Sequence, residues 1–224
     1  MQILLTSATS FEIYPLIQYL KINWKQINEN NFSFHGNSIY LLISGVGSVS
    51  TTYFLTKYFQ DFPCQLAIQA GLAGSFRKDL PPGSVVFVKS ELLGDMGSED
   101  EEKFYDLFEL GLIGENDTPF HAKMLTNPME GLPQIPDIAN VIGLTVNKVS
   151  GFKPTIKQRK EKYHPDTESM EGASFHYVCI REKIPFLQFR SISNFTETRN
   201  KSDWKIPLAV HRLNQLLIGL LKDL

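Results

Sequence analysis

The chain has 224 residues, with 22 Lys+Arg against 24 Asp+Glu and a formal net charge of −2. A chain of this length buries roughly 70% of its unfolded surface, so it needs no disulfide or metal staple. The near-neutral balance argues against sequence-independent nucleic-acid binding, and two solitary cysteines, Cys64 and Cys179, exclude a zinc ribbon or a disulfide framework.

The N-terminus, MQILLTSATS, has no basic leader region, and no apolar run is long enough to span a membrane, so a cytoplasmic protein is expected. The β-branched run Ile3–Thr6 predicts a first strand, and Phe11–Leu20, opening after Thr9/Ser10, a helix. Ile39–Ser44 predicts a strand, and Gly45-Val46-Gly47 a tight turn into a helix over Val49–Phe59. Ser50 stands where a dinucleotide fingerprint has its third glycine, so that turn is no cofactor signal. Leu66–Ala70 predicts a strand, and Gln69-Ala70-Gly71-Leu72-Ala73-Gly74-Ser75 a second glycine turn, either bare or lining a ligand. Ser84–Val88 predicts another strand. Gly94–Pro136, with its acidic run Ser98–Glu102, reads as a long irregular loop, whose aromatics Phe104, Tyr105, Phe108 and Phe120 argue against disorder. Val141–Val149 predicts a strand. Lys153–Lys162 reads as an exposed loop or helix start with its charges on a solvated face. Glu168–Glu182 predicts a helix, Pro185–Ser191 a strand, and Leu208–Leu221 a helix with one leucine face. Continuous apolar runs alternating with helices predict an α/β fold with a mainly parallel sheet covered on both faces. No linker or repeat divides the chain, so one domain is expected.

Glu168-Ser169-Met170-Glu171-Gly172-Ala173-Ser174 puts two carboxylates three residues apart at a helix start. The helix dipole accounts for Glu168 as a cap. Glu171, between Met170 and tiny residues, reads instead as a carboxylate pointing into a pocket. Arg190-Ser191-Ile192-Ser193-Asn194, and Glu12 after the first strand, deliver polar groups to the ligand edge of a parallel sheet. Without Cys or His clusters these groups point to acid/base or hydrogen-bond chemistry and to no metal. His35, His121, His164, His176 and His211 are scattered and read as surface or packing residues.

Gly45-Val46-Gly47, Gly71-Leu72-Ala73-Gly74, Ser169-Met170-Glu171-Gly172-Ala173 and Arg190-Ser191-Ile192-Ser193-Asn194 fall in the order and spacing of the purine nucleoside phosphorylase/nucleosidase superfamily. The resemblance covers nearly the whole chain. Within the superfamily the chain is most similar to the futalosine hydrolase branch, related to methylthioadenosine/adenosylhomocysteine nucleosidase, on Ala8-Thr9…Glu12, Asn194, Arg199 and Trp204. The resemblance implies a single nucleoside phosphorylase-like domain over residues 1–224, a three-layer sandwich on a mixed, mainly parallel sheet. It implies a homodimer or higher homo-oligomer, no cofactor, and a small-molecule nucleoside cleaved at its N-glycosidic bond through a ribosyl cation. For this branch it implies a role in menaquinone synthesis.

Carried over residue by residue, Glu171 hydrogen-bonds the ribose hydroxyls and Met170 packs beneath the sugar. Glu12 orients and deprotonates the attacking water, Phe152 stacks on the base, and Asn194 faces the purine N7. Gly71, Leu72 and Arg190 complete the expected substrate-binding set. Leu72 departs from the pattern, which commonly has serine or threonine there. No arginine lies in Thr6–Glu12, Gln69 precedes the glycines, and Leu72 has no hydroxyl. A phosphate site would lack cations and donors, so water is the expected acceptor. Phe104, Tyr105 and Phe108 either pack their own segment or cover the substituent at the 5′ position. Two other readings stay open. One is a different purine or pyrimidine nucleosidase; the other is a silent nucleoside binder, which would need a ribose clamp such as Glu171 but no base such as Glu12.

Overall fold

The first apolar run forms β1 (Gln2–Ser7), and the chain then turns into α1 (Tyr14–Asn23), whose first turn takes a proline without loss because that N–H has no helical partner. A computed structural model describes every residue except Glu102, residues 134–136, Thr198, Arg199, residues 223–224 and the Lys201 side chain. Short strands β2 (Lys25–Gln26) and β3 (Asn31–Phe34) precede β4 (Asn37–Ile43), α2 (Ser48–Asp61) and β5 (Leu66–Ser75). After β6 (Val85–Leu93) come a hairpin of β7 (Gly97–Asp100) and β8 (Lys103–Asp106), then β9 (Leu125–Thr126) and β10 (Asn140–Thr145). The C-terminal part holds α3 (Lys153–Tyr163), β11 (Thr167–Ser169), α4 (Gly172–Glu182), β12 (Phe186–Phe195) and α5 (Ile206–Lys222).

Strands run in the order β11-β10-β6-β12-β5-β1-β4-β3-β2, with β9 beside β6 and β11 also paired to β5. One parallel block is β4-β1-β5-β12 and the other is β6-β10-β11; they meet antiparallel at β12–β6 and β11–β5. The sheet is therefore mixed, and β5-β12-β6-β10-β11 closes into a ring with no free edge. Alternation along the strands sorts the core into two layers. Ile3, Leu5 and Ile68 pack with Leu16 and Leu20 of α1 and Leu213 and Leu217 of α5. Leu4 and Ala67 face the other way, onto Leu55 of α2 and Phe175 and Val178 of α4. Helices thus cover both faces of the α/β sheet, as the alternating pattern predicts.

Several local expectations change. Gly71-Leu72-Ala73-Gly74 is no turn but the second half of β5, paired with β12 as far as Ser75. The missing side chains make room for neighbours instead of a bend. A Cβ on Gly71 would lie 2.3 Å from Arg190 Nη1, and one on Gly74 2.8 Å from Thr196 Oγ1. Glu168 belongs to β11, and the helix starts only at Gly172, so Glu168 does not cap it. The basic run forms α3, and its Arg159 is buried, not solvated. The described part of Gly94–Pro136 carries a hairpin and β9; its end at Pro136 lies outside the described residues.

Candidate active site

At the C-terminal end of β1 the chain turns back so that the Glu12 carboxylate meets donors from its own loop and from β5. Oε2 accepts from Ser7 Oγ at 3.1 Å and from Thr9 N and Oγ1, both at 3.0 Å. Oε1 accepts from Leu72 N at 3.0 Å. Asn214, buried on α5, clamps the loop from behind: Nδ2 donates to Glu12 O at 2.9 Å and Oδ1 accepts from Leu16 N at 2.9 Å. Sequence reasoning missed Asn214. Its one signal was an amide breaking the leucine face of the last helix.

Glu171 immediately precedes α4. Its Oε1 accepts from Gly47 N at 3.0 Å, and Ser48 Oγ donates to Met170 O at 3.4 Å. Gly45 and Gly47 adopt φ of +77° and +90°, a region that side chains rarely tolerate, so the Gly-Val-Gly turn is needed to aim that N–H. Arg190, 1% exposed, lies between the two carboxylates. Its Nη2 donates to Gln69 Oε1 at 3.0 Å, and its Nη1 is 3.5 Å from Glu171 Oε2. Gly71 lets Arg190 through, since its position is bounded by Arg190 Nη1 and Glu12 Oε1. The structure therefore brings together Glu12, Gly71, Leu72, Arg190 and Glu171, with Met170 beside them in the chain.

Asn194 and Phe152 stand apart from that cluster. A register shift in β12 between Ile192 and Asn194 precedes Asn194, which pairs with Gly74. Its Oδ1 accepts from Ser193 Oγ at 2.7 Å, and its Nδ2 donates to Phe195 O at 2.9 Å. With Ser150, Phe195 and Trp204 it lines a small cavity of about 60 Å³. Arg199, singled out with Trp204, lies outside the described residues. Phe152 caps α3 and is 68% exposed. The loop that carries it is anchored by Glu168, which accepts from Ser150 N at 2.7 Å and pairs with Arg159 Nη1 at 3.0 Å.

An apolar cavity of about 610 Å³ opens beside Ser48 and Ala173, next to Met170 and Glu171, with Val49, Tyr53, Met96, Leu107, Ile113 and Phe120 among its walls. Phe108 backs it edge-on to Phe120, ring centroids 5.2 Å apart. Phe104 and Tyr105 are not among its walls; they lie under the ammonium groups of Lys162 and Lys103. His176 is fully buried, bonded through Nδ1 to Leu125 O at 2.8 Å, and burial lowers its pKa to about 4. Among the described residues no group of three His, Cys, Asp or Glu could hold a metal ion, and no helix is long and apolar enough to cross a membrane.

A family model described as the phosphorylase superfamily matches residues 2–222. A futalosine hydrolase of Thermus thermophilus is 24% identical over 203 residues, 84% of this chain and 83% of that one. A 5′-methylthioadenosine/S-adenosylhomocysteine nucleosidase of Pseudoalteromonas translucida is 24% identical over 214 residues, 90% and 89% of the two chains. In structure, a futalosine hydrolase mutant of Helicobacter pylori superposes with a TM-score of 0.80 at 18% identity, over 100% of both chains.

Proposed function

The chain belongs to the phosphorylase superfamily, and we propose that it hydrolyses the N-glycosidic bond of futalosine in the cytoplasm, releasing hypoxanthine and dehypoxanthine futalosine for menaquinone synthesis. One observation carries the reading: two carboxylates, Glu12 and Glu171, are each tied to a backbone N–H and flank Gly71, Leu72 and Arg190. A silent binder has no use for the first.

In this reading Glu171 accepts hydrogen bonds from the ribose hydroxyls, and Met170 packs beneath the sugar. As the glycosidic bond breaks, positive charge grows on the sugar, and the Glu171 carboxylate stabilises it more than the neutral ground state. Glu12 takes the proton of the attacking water, whose oxygen joins the anomeric carbon. Phe152 stacks on the base, and Asn194 gives its NH₂ to the 6-oxo oxygen while its Oδ1 accepts from N7–H once the departing base has taken a proton from solvent. An amide cannot supply a proton as a carboxylic acid can, so hydrogen bonding must stabilise the leaving base. Arg190 is the cation of the cluster, and it is engaged by Gln69 and Glu171. A phosphate would meet Glu12 and Glu171 instead of a free cation, which favours water as acceptor.

The apolar cavity beside Ala173 suits an apolar 5′ substituent. Val49 and Tyr53 at its mouth, 85% and 60% exposed, support a homodimer or higher oligomer, which sedimentation would reveal. A relative equally identical to this chain acts on methylthioadenosine and adenosylhomocysteine by name, which keeps that nucleosidase activity as the second reading. Incubation with futalosine, inosine, methylthioadenosine and adenosylhomocysteine separates the two by the base released. Hypoxanthine from futalosine is expected; a preference for methylthioadenosine would replace the first reading with the second.

A further inference from the structure

Glu91 is a buried carboxylate that the proposed chemistry does not use. It stands on β6, 1% exposed, in a space that two glycines keep open. A Cβ on Gly172 would lie 1.8 Å from Glu91 Oε1, and one on Gly143 2.5 Å from it. Neither glycine has a positive φ, so both are there for the room they leave. Glu91 Oε1 accepts from Gln188 Nε2 at 2.8 Å, and Oε2 accepts from Thr145 Oγ1 at 2.9 Å. Thr145 Oγ1 in turn accepts from Ala173 N at 2.7 Å, in the first turn of α4. The residue that opens this helix is Glu171.

We infer that Glu91 is a positioning residue, setting the place of Glu171 through the relay Glu91–Thr145–Ala173 N–H. The inference rests on Glu171 being the sugar-binding carboxylate. The direction of the relay follows from donor arithmetic. A hydroxyl has one proton to give, and an ionised carboxylate only accepts. Thr145 therefore points its proton at Glu91 and keeps a lone pair for Ala173. A protonated Glu91 brings a donor of its own to a site that already holds the Thr145 hydroxyl and the Gln188 amide as donors.

Burial pushes the Glu91 pKa up to about 7, against the lowering by Gln188, by Arg190 from β12 and by Thr145; Glu171, at the start of α4, raises it further. His176 on α4, lowered by burial to about 4, stays neutral through that range. The ionised, relay-competent form of Glu91 is therefore lost as the pH falls below about 7.

The test follows backbone amides and turnover together. In the wild-type protein the Ala173 and Gly47 amide shifts in NMR should titrate with a common midpoint near 7, because Gly47 N–H donates to Glu171. In Glu91→Gln both titrations should vanish. Turnover of the cleaved nucleoside should fall roughly tenfold, the equivalent of one lost hydrogen bond, with no rise from acid to neutral pH. Should Glu91→Gln fail to fold, Thr145→Val should show the same loss and Thr145→Ser should restore it. Amides that do not titrate, or wild-type turnover in Glu91→Gln or in Thr145→Val, overturn the relay. If the wild-type protein cleaves no nucleoside, the hydrolase reading falls, and the two amide titrations alone decide the relay.

Discussion

Glu12 and Asn194 both stand near strand ends of one sheet, yet Glu12 is held by Ser7, Thr9 and Leu72, while among the described residues the Asn194 side chain bonds to its chain neighbours Ser193 and Phe195. The carboxylate end draws its contacts from β1, α5, β5, β12 and the Gly45–Gly47 turn, so the whole fold fixes it. The other end is half-exposed, and Phe152 there is packed by little. In the proposed chemistry this puts bond cleavage in the rigid part and base choice in the adaptable part. Substitutions at the first end should cost rate and stability together; at the second, base binding and selectivity with little change in stability.

The largest effect should come from Glu12→Gln. General-base help contributes ~10²–10⁴-fold, so single-turnover release of base should slow on that scale, and added phosphate should not raise the wild-type rate. A near-normal rate would move the base elsewhere. Gly71→Ala should follow: with a methyl 2.3 Å from Arg190 Nη1, Arg190 must leave Glu171, at about 1–3 kcal/mol of stability by urea denaturation. An unchanged midpoint would show that the rigid end has slack. Asn194→Asp should alter stability by less than about 0.5 kcal/mol while moving preference from 6-oxo to 6-amino purines by roughly tenfold, within the penalty for one unpaired buried group. Selectivity that survives Asn194→Ala would detach base choice from this residue. Phe152→Ala should be mildest, a rise of a few-fold in KM from one lost stacking contact, with an unchanged melting temperature.

Strands and helices with strong apolar runs are legible in the sequence itself. Ile3–Thr6 became Gln2–Ser7, and Leu208–Leu221 became Ile206–Lys222. What misled was local chemistry whose partner is distant in sequence. Gly71 and Gly74 look like a turn because glycine favours bends; the reason for them is the arrival of Arg190 on β12 and Thr196 just past its end, more than a hundred residues away. Glu168 looks like a helix cap because an acid precedes a helix, but its partner Arg159 sits in a run that composition alone reads as solvated. Asn214 reaches the Glu12 loop across nearly the full chain, which no local window contains.

The register shift in β12 carries a consequence for how such a site can diversify. Arg190 pairs with Gly71 and Ile192 with Ala73, but Asn194 pairs with Gly74, so Ser193 is an extra residue against β5. Because side chains alternate strictly along a strand, one extra residue exchanges inside for outside beyond it. Arg190 and Asn194, four apart, would share a face in a regular strand; here they face opposite ways. Chain length at this point is thus as much a variable as residue identity. Regular pairing with Ser193 kept in the ladder would leave Arg190 opposite Gly71 but set Ser193 opposite Gly74, presenting a hydroxyl where Asn194 now stands.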